Sequence, residues 1–211
     1  PLSSIRREPL AQLTQDLVRF PTVGTDAAAI NACLEWVRTY MLARSPRLEV
    51  RRFVSHGKPS LLFTVGATPP RVLLCGHLDV VEAAPEAFAP RLLSGQRLQG
   101  RGAADMKGPV AALIDIMVHD PLPGLGLLLT TDEETGGTEG VQYVLDQLPW
   151  RPEVVILPDG GAHLRLVIEQ KGLLRLRLIA HGKAAHSARP WEGDSALDRL
   201  LRAYHHLRHL Y

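Results

Sequence analysis

The sequence predicts an α/β protein with a mostly parallel sheet, on three observations. Short continuous apolar runs occur at 71–76 (RVLLCG), 125–131 (LGLLLTT) and 153–158 (EVVILP), the pattern of strands buried on both faces. Segments of helical periodicity alternate with them, which implies crossover connections and helices on both faces of the sheet. An imidazole or a carboxylate follows each run, where the loops leaving the carboxyl ends of parallel strands line one crevice.

Residues 9–20 place Leu10, Leu13, Leu17 and Phe20 at helical spacing, and Pro21 closes the segment. Thr25 or Asp26 caps a second helix with the stripe Ile30, Cys33, Leu34, Val37 and Met41, ended by Pro46. Leu48–Val54 and Ser60–Gly66 read as strands joined by a Gly-Lys-Pro turn. Pro69-Pro70 breaks the chain before the run at 71–76, and the Pro-, Ala- and Gly-rich stretch 82–100 reads as a long loop with room for one hairpin. Gly108–Val118 is a helix with Pro109 in its first turn, where proline is tolerated. A further helix is expected from about Thr138 to Gln147. After Gly172 the pattern changes. Leu174, Leu176 and Leu178 alternate with Arg175, Arg177 and Ile179 as in a half-exposed strand, expected over 173–180. A histidine-rich loop and an amphipathic helix over 194–211 follow. This last portion is too small to bury a core of its own, so it should expose apolar surface that marks a contact.

The chain has 211 residues, is 45% hydrophobic and 22% charged, and carries a net charge of +2. That balance implies no nucleic-acid partner. No apolar stretch reaches the roughly 20 residues of a membrane span, and PLSSIRREPL lacks the apolar core of a secretion signal. Cys33 and Cys75 both sit in apolar segments and read as buried free thiols, which suits a reducing compartment and a cytoplasmic location.

Four positions carry candidate chemistry. In GHLD, His77 and Asp79 are two apart in extended backbone and point the same way. One can face a metal while the other holds its ring, since a ligating imidazole usually donates its other N–H to a carboxylate. Asp105 precedes a helix among Gly100, Gly102 and Gly108. A carboxylate can bridge two cations. The adjacent acids Glu133 and Glu134 repel unless a cation or proton separates their roles. One can bind a metal while the other takes a proton from metal-activated water. Asp159 follows VVILP. Each position also has an ordinary explanation: a capping Asp, a helix-dipole partner, an exposed acidic turn, an Asp-Gly turn. Their recurrence at the same end of separate strands argues jointly for a metal site and a hydrolase. The oxygen-rich donor set suits Zn²⁺, Co²⁺ or Mn²⁺.

GHLDVV, GRGAADMKGPVAA, TTDEETGG and GKAAHSARPWEGDSA resemble, in order and near-spacing, the zinc-dependent aminoacylase/carboxypeptidase family. That family includes acetylornithine deacetylase, succinyl-diaminopimelate desuccinylase, glutamate carboxypeptidase and related dipeptidases. The likeness runs from about Leu10 to the last residue. It implies that His77 ligates one metal, with Asp79 steering it. It implies further that Asp105 bridges two metals, that Glu133 is the general base, that Glu134 ligates the second metal, and that Asp159 ligates the metal held by His77. His186 would hold the substrate carbonyl or carboxylate, often in a partner subunit's site. The implied fold is a three-layer catalytic domain, 1–171, and the beginning of an inserted α+β dimerisation (lid) domain, 172–211, through which two copies pair. The implied activity is hydrolysis of a peptide or amide bond in a small peptide or N-acyl amino acid, with two Zn²⁺ per site. The family position matched by Asp159 is often Glu in deacylases and Asp in many peptidases, which favours a peptidase. The family's last metal-binding histidine has no match before Tyr211. An N-acyl amino acid deacylase and a non-catalytic binding or assembly module are the two alternatives.

Overall fold

Two leucine-rich strands, buried at five positions each, lie side by side inside the main sheet. They are β3 (Val72–His77) and β6 (Leu125–Thr130), paired in parallel from Val72↔Leu125 to His77↔Thr130. The computed structural model describes residues 7–66, 69–94, 97–160, 167, 169, 172 and 176–210. It divides into two compact units, Pro1–His163 and Leu164–Tyr211.

In the first unit, α1 (Arg7–Val18) and α2 (Ala27–Arg44) precede a hairpin of β1 (Leu48–Ser55) and β2 (Lys58–Val65). Asp26 is the cap of α2: its side chain accepts the Ala29 N–H at 2.9 Å. The hairpin turns at His56-Gly57. Lys58 already pairs with Ser55 and Pro59 with Val54, so the turn lies one step before the expected Gly-Lys-Pro. β4 (Arg91–Leu93) and β5 (Arg97–Gln99) make a small separate hairpin. Then come α3 (Gly108–His119), β6, α4 (Tyr143–Gln147) and β7 (Val154–Ile156).

The main sheet has the order β1-β2-β6-β3-β7. β3 is parallel to both β6 and β7, while β2 is antiparallel to both β1 and β6. Among the described strands of this sheet, four therefore run one way and β2 alone runs against them. The α/β class with a mostly parallel sheet holds, β2 making the sheet mixed.

Period-2 alternation puts the strand side chains on two faces. Phe63, Leu74, Leu127 and Leu129 join Leu13, Leu17, Ile30, Val37, Met41, Val110 and Ile114 in the larger core, under α1, α2 and α3. Leu62, Leu73, Cys75 and Leu128 join Val144 and Leu148 in the smaller core, under α4. Helices thus cover both faces. Cys33 and Cys75 are free and buried, one in each core.

β7 departs from the fully buried strand expected at 153–158. Val154, Val155 and Ile156 are each about half exposed. Among the described residues it is an edge strand paired only with β3, and no helix packs over it.

In the second unit α5 (Ala196–Arg208) is capped by Ser195, which accepts the Asp198 N–H. The strand expected over 173–180 is absent at 176–180. A strand persists only against a ladder partner, and none lies beside these residues among those described. Positions 173–175 and 211 fall outside the described residues. Leu176, Leu178, Ile179, Leu197, Leu201 and Tyr204 are exposed, as the short apolar segment requires. No helix among the described residues is long and apolar enough to cross a membrane.

Phe63 is fully buried in the larger core. Phe63→Ala is expected to cost about 3–5 kcal/mol in urea unfolding, and Val155→Ala on the exposed edge far less. Equal losses at the two positions would contradict this core assignment.

Candidate metal centre

The carboxyl ends of β3 and β6 lie side by side, and the site grows from them. Leaving β3, the chain turns through Leu78 and Asp79. The Leu78 N–H donates to Thr130 O at 2.9 Å, the Thr22 hydroxyl donates to Leu78 O, and the Val80 N–H donates to Thr22 O at 3.0 Å. These bonds fix a short segment bearing two buried polar side chains, His77 and Asp79.

His77 Nδ1 lies 3.0 Å from the Asp79 carbonyl and 3.5 Å from Asp79 Oδ1. A carbonyl oxygen only accepts, so Nδ1 carries the hydrogen. Nε2 is thereby aimed at the remaining acids, and in the neutral ring it presents its lone pair. It lies 3.2 Å from Asp105 Oδ1, 3.8 Å from Glu133 Oε2 and 3.7 Å from Asp159 Oδ2. One donor atom each from His77, Glu133 and Asp159 falls within 4.8 Å of the others.

Asp79 also joins the two strand ends. Its Oδ2 accepts the Glu134 N–H at 3.0 Å, while its buried Oδ1 has no hydrogen-bond partner. Glu133 and Glu134 open a short 3-10 turn ending in Gly136, whose φ of 118° favours a residue without a Cβ. The Glu134 carboxylate stands outside the trio of His77, Glu133 and Asp159. Its recorded tie to the site is through its backbone. Asp105 has extended dihedrals (φ −127°, ψ 99°) in the irregular turn before α3, and its side chain is largely exposed. His186 belongs to the second unit, is exposed, and accepts the Ala188 N–H at 3.1 Å.

The electrostatics follow from burial and crowding. Partial desolvation of its half-exposed side chain pushes the Glu133 carboxyl above its usual range. The His77 charge opposes this, and Asp159, Glu134 and Asp79 add to the rise. Burial likewise raises Asp159, against His77 and with Asp105. For His77 burial works downward, but hydrogen bonding and charge from Asp79, then the charge of Glu133, outweigh it and set a pKa of about 9. Below that value, without a metal, the imidazolium neutralises part of the carboxylate cluster. An imidazole whose Nε2 faces several carboxylates while Asp79 holds its Nδ1 suits a divalent cation.

Two buried charged residues nearby had no role in the sequence reading. Lys107 is completely buried, and its Nζ donates to Phe20 O at 2.7 Å. Burial lowers its pKa to about 8, with Cys33 and Asp79 opposing. Asp132 is buried between Thr131 and the two glutamates. A lysine in DMKG reads as a surface charge and an aspartate in DEE as a third exposed acid; only an apolar run on both sides would have hinted at burial.

The fold is an α/β domain that gathers His77, Asp105, Glu133 and Asp159 at the carboxyl ends of its central strands. The model of peptidase family M20/M25/M40 matches residues 73–195, and the chain belongs to that family. A probable carboxypeptidase of Neosartorya fischeri is 30% identical over 98% of this chain and 52% of its own length. A probable carboxypeptidase of Aspergillus terreus is 40% identical over 64% of this chain and 32% of its own length. The chain spans about half or less of the length of these curated relatives. Among solved structures, a Staphylococcus aureus tripeptidase superposes with a TM-score of 0.63 at 18% identity, over 95% of this chain and 56% of its own. Human carnosine dipeptidase 1 gives 0.60 at 19% identity, over 73% and 39%. These two likenesses establish the shared fold.

The raised pKa of His77 makes stability depend on pH. The folded chain keeps this proton up to about pH 9, and the unfolded chain releases it near 6.5. In that window the folded state binds more protons, so stability falls as pH rises. Glu133 and Asp159, also raised, act in the same direction from lower starting values. Above about pH 8 the lowered Lys107 acts oppositely. From pH 6.5 to 8, urea unfolding of the metal-free chain should show a loss of at most ~1.4 kcal/mol per pH unit, most of it removed by His77→Asn. A level or rising wild-type curve would contradict the assignment.

Proposed function

We propose that this chain supplies the cation-binding and proton-transfer residues of a metal-dependent hydrolase, one that cleaves a peptide or amide bond in small peptides or N-acyl amino acids. The observation that carries the reading is the convergence of His77, Asp105, Glu133 and Asp159, with Asp79 behind the imidazole. The similarity to probable carboxypeptidases favours peptides as substrates.

In this reading His77, Asp105 and Asp159 would hold the cation, and Glu134 would supply a ligand for a second one. A divalent cation, when bound, polarises the scissile carbonyl and lowers the pKa of water. The donor set is compatible with Zn²⁺, Co²⁺ or Mn²⁺, with two ions per site expected. Asp79 keeps the proton of His77 on Nδ1, so that Nε2 stays free to ligate.

Glu133 takes the proton from the attacking water and delivers it to the leaving amine. Its pKa is raised by partial desolvation and by neighbouring carboxylates, which brings a carboxylate base closer to the pH at which it must both accept and release a proton. His186 is assigned to the substrate carbonyl or carboxylate. The residues from 172 onward are assigned to a lid domain that pairs two copies. The two free buried thiols favour a cytoplasmic location.

Glu133→Gln keeps the shape and removes the base. It should lower turnover by at least ~10²–10⁴-fold while metal content, read by elemental analysis, stays at the wild-type level. Near-normal turnover in the variant would refute the assignment of the base. Dipeptides and tripeptides compared with N-acetyl and N-succinyl amino acids separate a peptidase from a deacylase. Activity confined to the acylated amino acids would overturn the preference for peptides.

A further inference from the structure

Glu133 is exposed and Glu134 half-exposed, yet the proposed chemistry needs both held in place. The nearest fixed group is the residue before them. Asp132 is 2% exposed. Its backbone carbonyl accepts the N–H groups of Thr135 and Gly137, at 3.1 and 2.9 Å, and the Thr135 hydroxyl at 3.0 Å. Its carboxylate Oδ2 accepts the N–H groups of Glu139 and Gly140, at 2.8 and 2.9 Å. One residue thus binds four backbone N–H groups. Two close the turn that carries Glu133 and Glu134, and two begin the helical segment behind it. The other carboxylate oxygen, Oδ1, is buried without a hydrogen-bond partner. It faces Gly140 so closely that a Cβ there would lie 2.0 Å from it. The carboxylate fits this slot because residue 140 has no side chain.

We propose that Asp132 is a positioning residue for the metal centre: it clamps the turn from both sides and so sets where the Glu133 and Glu134 carboxylates stand. The inference rests on the metal-site reading above. A plain helix cap would stabilise the fold without affecting cation affinity. A positioning residue affects affinity through the ligands it orients, and loss of such support typically costs 10–100-fold in metal binding.

The test is Zn²⁺ binding to the full 211-residue chain, by competition with a chromogenic chelator, alongside thermal unfolding of the metal-free protein. Asp132→Ala should weaken Zn²⁺ binding at least ~10-fold. Asp132→Asn, which keeps an oxygen acceptor for both N–H groups, should recover most of that loss. Gly140→Ala, which leaves Asp132 intact but pushes its carboxylate aside, should weaken binding like Asp132→Ala. Val144→Ala removes buried methyl groups from α4 and is the stability control. It should lower the melting temperature yet leave Zn²⁺ affinity within about twofold. If Asp132→Ala does not fold, the Gly140→Ala and Asp132→Asn results decide. Wild-type affinity in Gly140→Ala and in any folded Asp132→Ala would overturn the role of Asp132, as would an equal loss in Val144→Ala. A wild-type chain that takes up no Zn²⁺ would refute the metal-site reading itself, and this inference with it.

Discussion

The buried carboxylate of Asp79 is the constraint on which the rest of the centre depends. It has no solvent exposure, so it must be matched by polar partners from the protein or by charge. Oδ2 accepts the Glu134 N–H, and Oδ1 lies 3.5 Å from the His77 ring. One side chain therefore ties the end of β3 to the turn after β6 and orients the His77 imidazole. An Asp placed elsewhere on this rim could do either job alone. At two residues past His77, in a segment pinned by Thr22 and Thr130, it does both.

That constraint is bearable because the sheet beneath is dry and stiff. Leu73, Leu74, Leu127, Leu128 and Leu129 are buried on two faces, and the parallel pairing of β3 with β6 aligns His77 with Thr130. The polar groups then emerge in the first residues beyond the ladder, where the backbone is free to turn. A centre of this kind concentrates negative charge. Without a cation, His77 supplies part of the compensation by keeping its proton to about pH 9, and the buried Lys107 ammonium contributes to the same field. The proton on Nε2 and a metal ion compete for the same lone pair.

Much of this was legible in the sequence because the signals were local. Continuous apolar runs marked β3 and β6, Thr25-Asp26 marked the start of α2, and GHLD, DMKG and DEE marked the loops that converge. The placement of β2 beside β6 was not legible: strand order depends on contacts far apart in sequence, and a local pattern carries no such information. Exposure of β7 was hidden for the same reason, since VVIL has the composition of a buried strand whether or not anything covers it. The expected strand at 176–180 failed because alternation alone supplies no ladder partner. Asp132 and Lys107 were missed because both are charged residues in charged motifs, and only packing reveals that they are buried. The irregular turn at 103–107 and the αL geometry of Gly136 were foreshadowed by glycines but not specified by them.

The central claim is that His77, Asp105 and Asp159 enclose one cation pocket, with Glu133 at its edge. The most direct measurement is anomalous diffraction from crystals of the chain grown with Zn²⁺, recorded on both sides of the zinc absorption edge. The account predicts a strong peak at bonding distance from His77 Nε2 and from the carboxylates of Asp105 and Asp159. A peak bound elsewhere, or no peak at this cluster with zinc in excess, would contradict it.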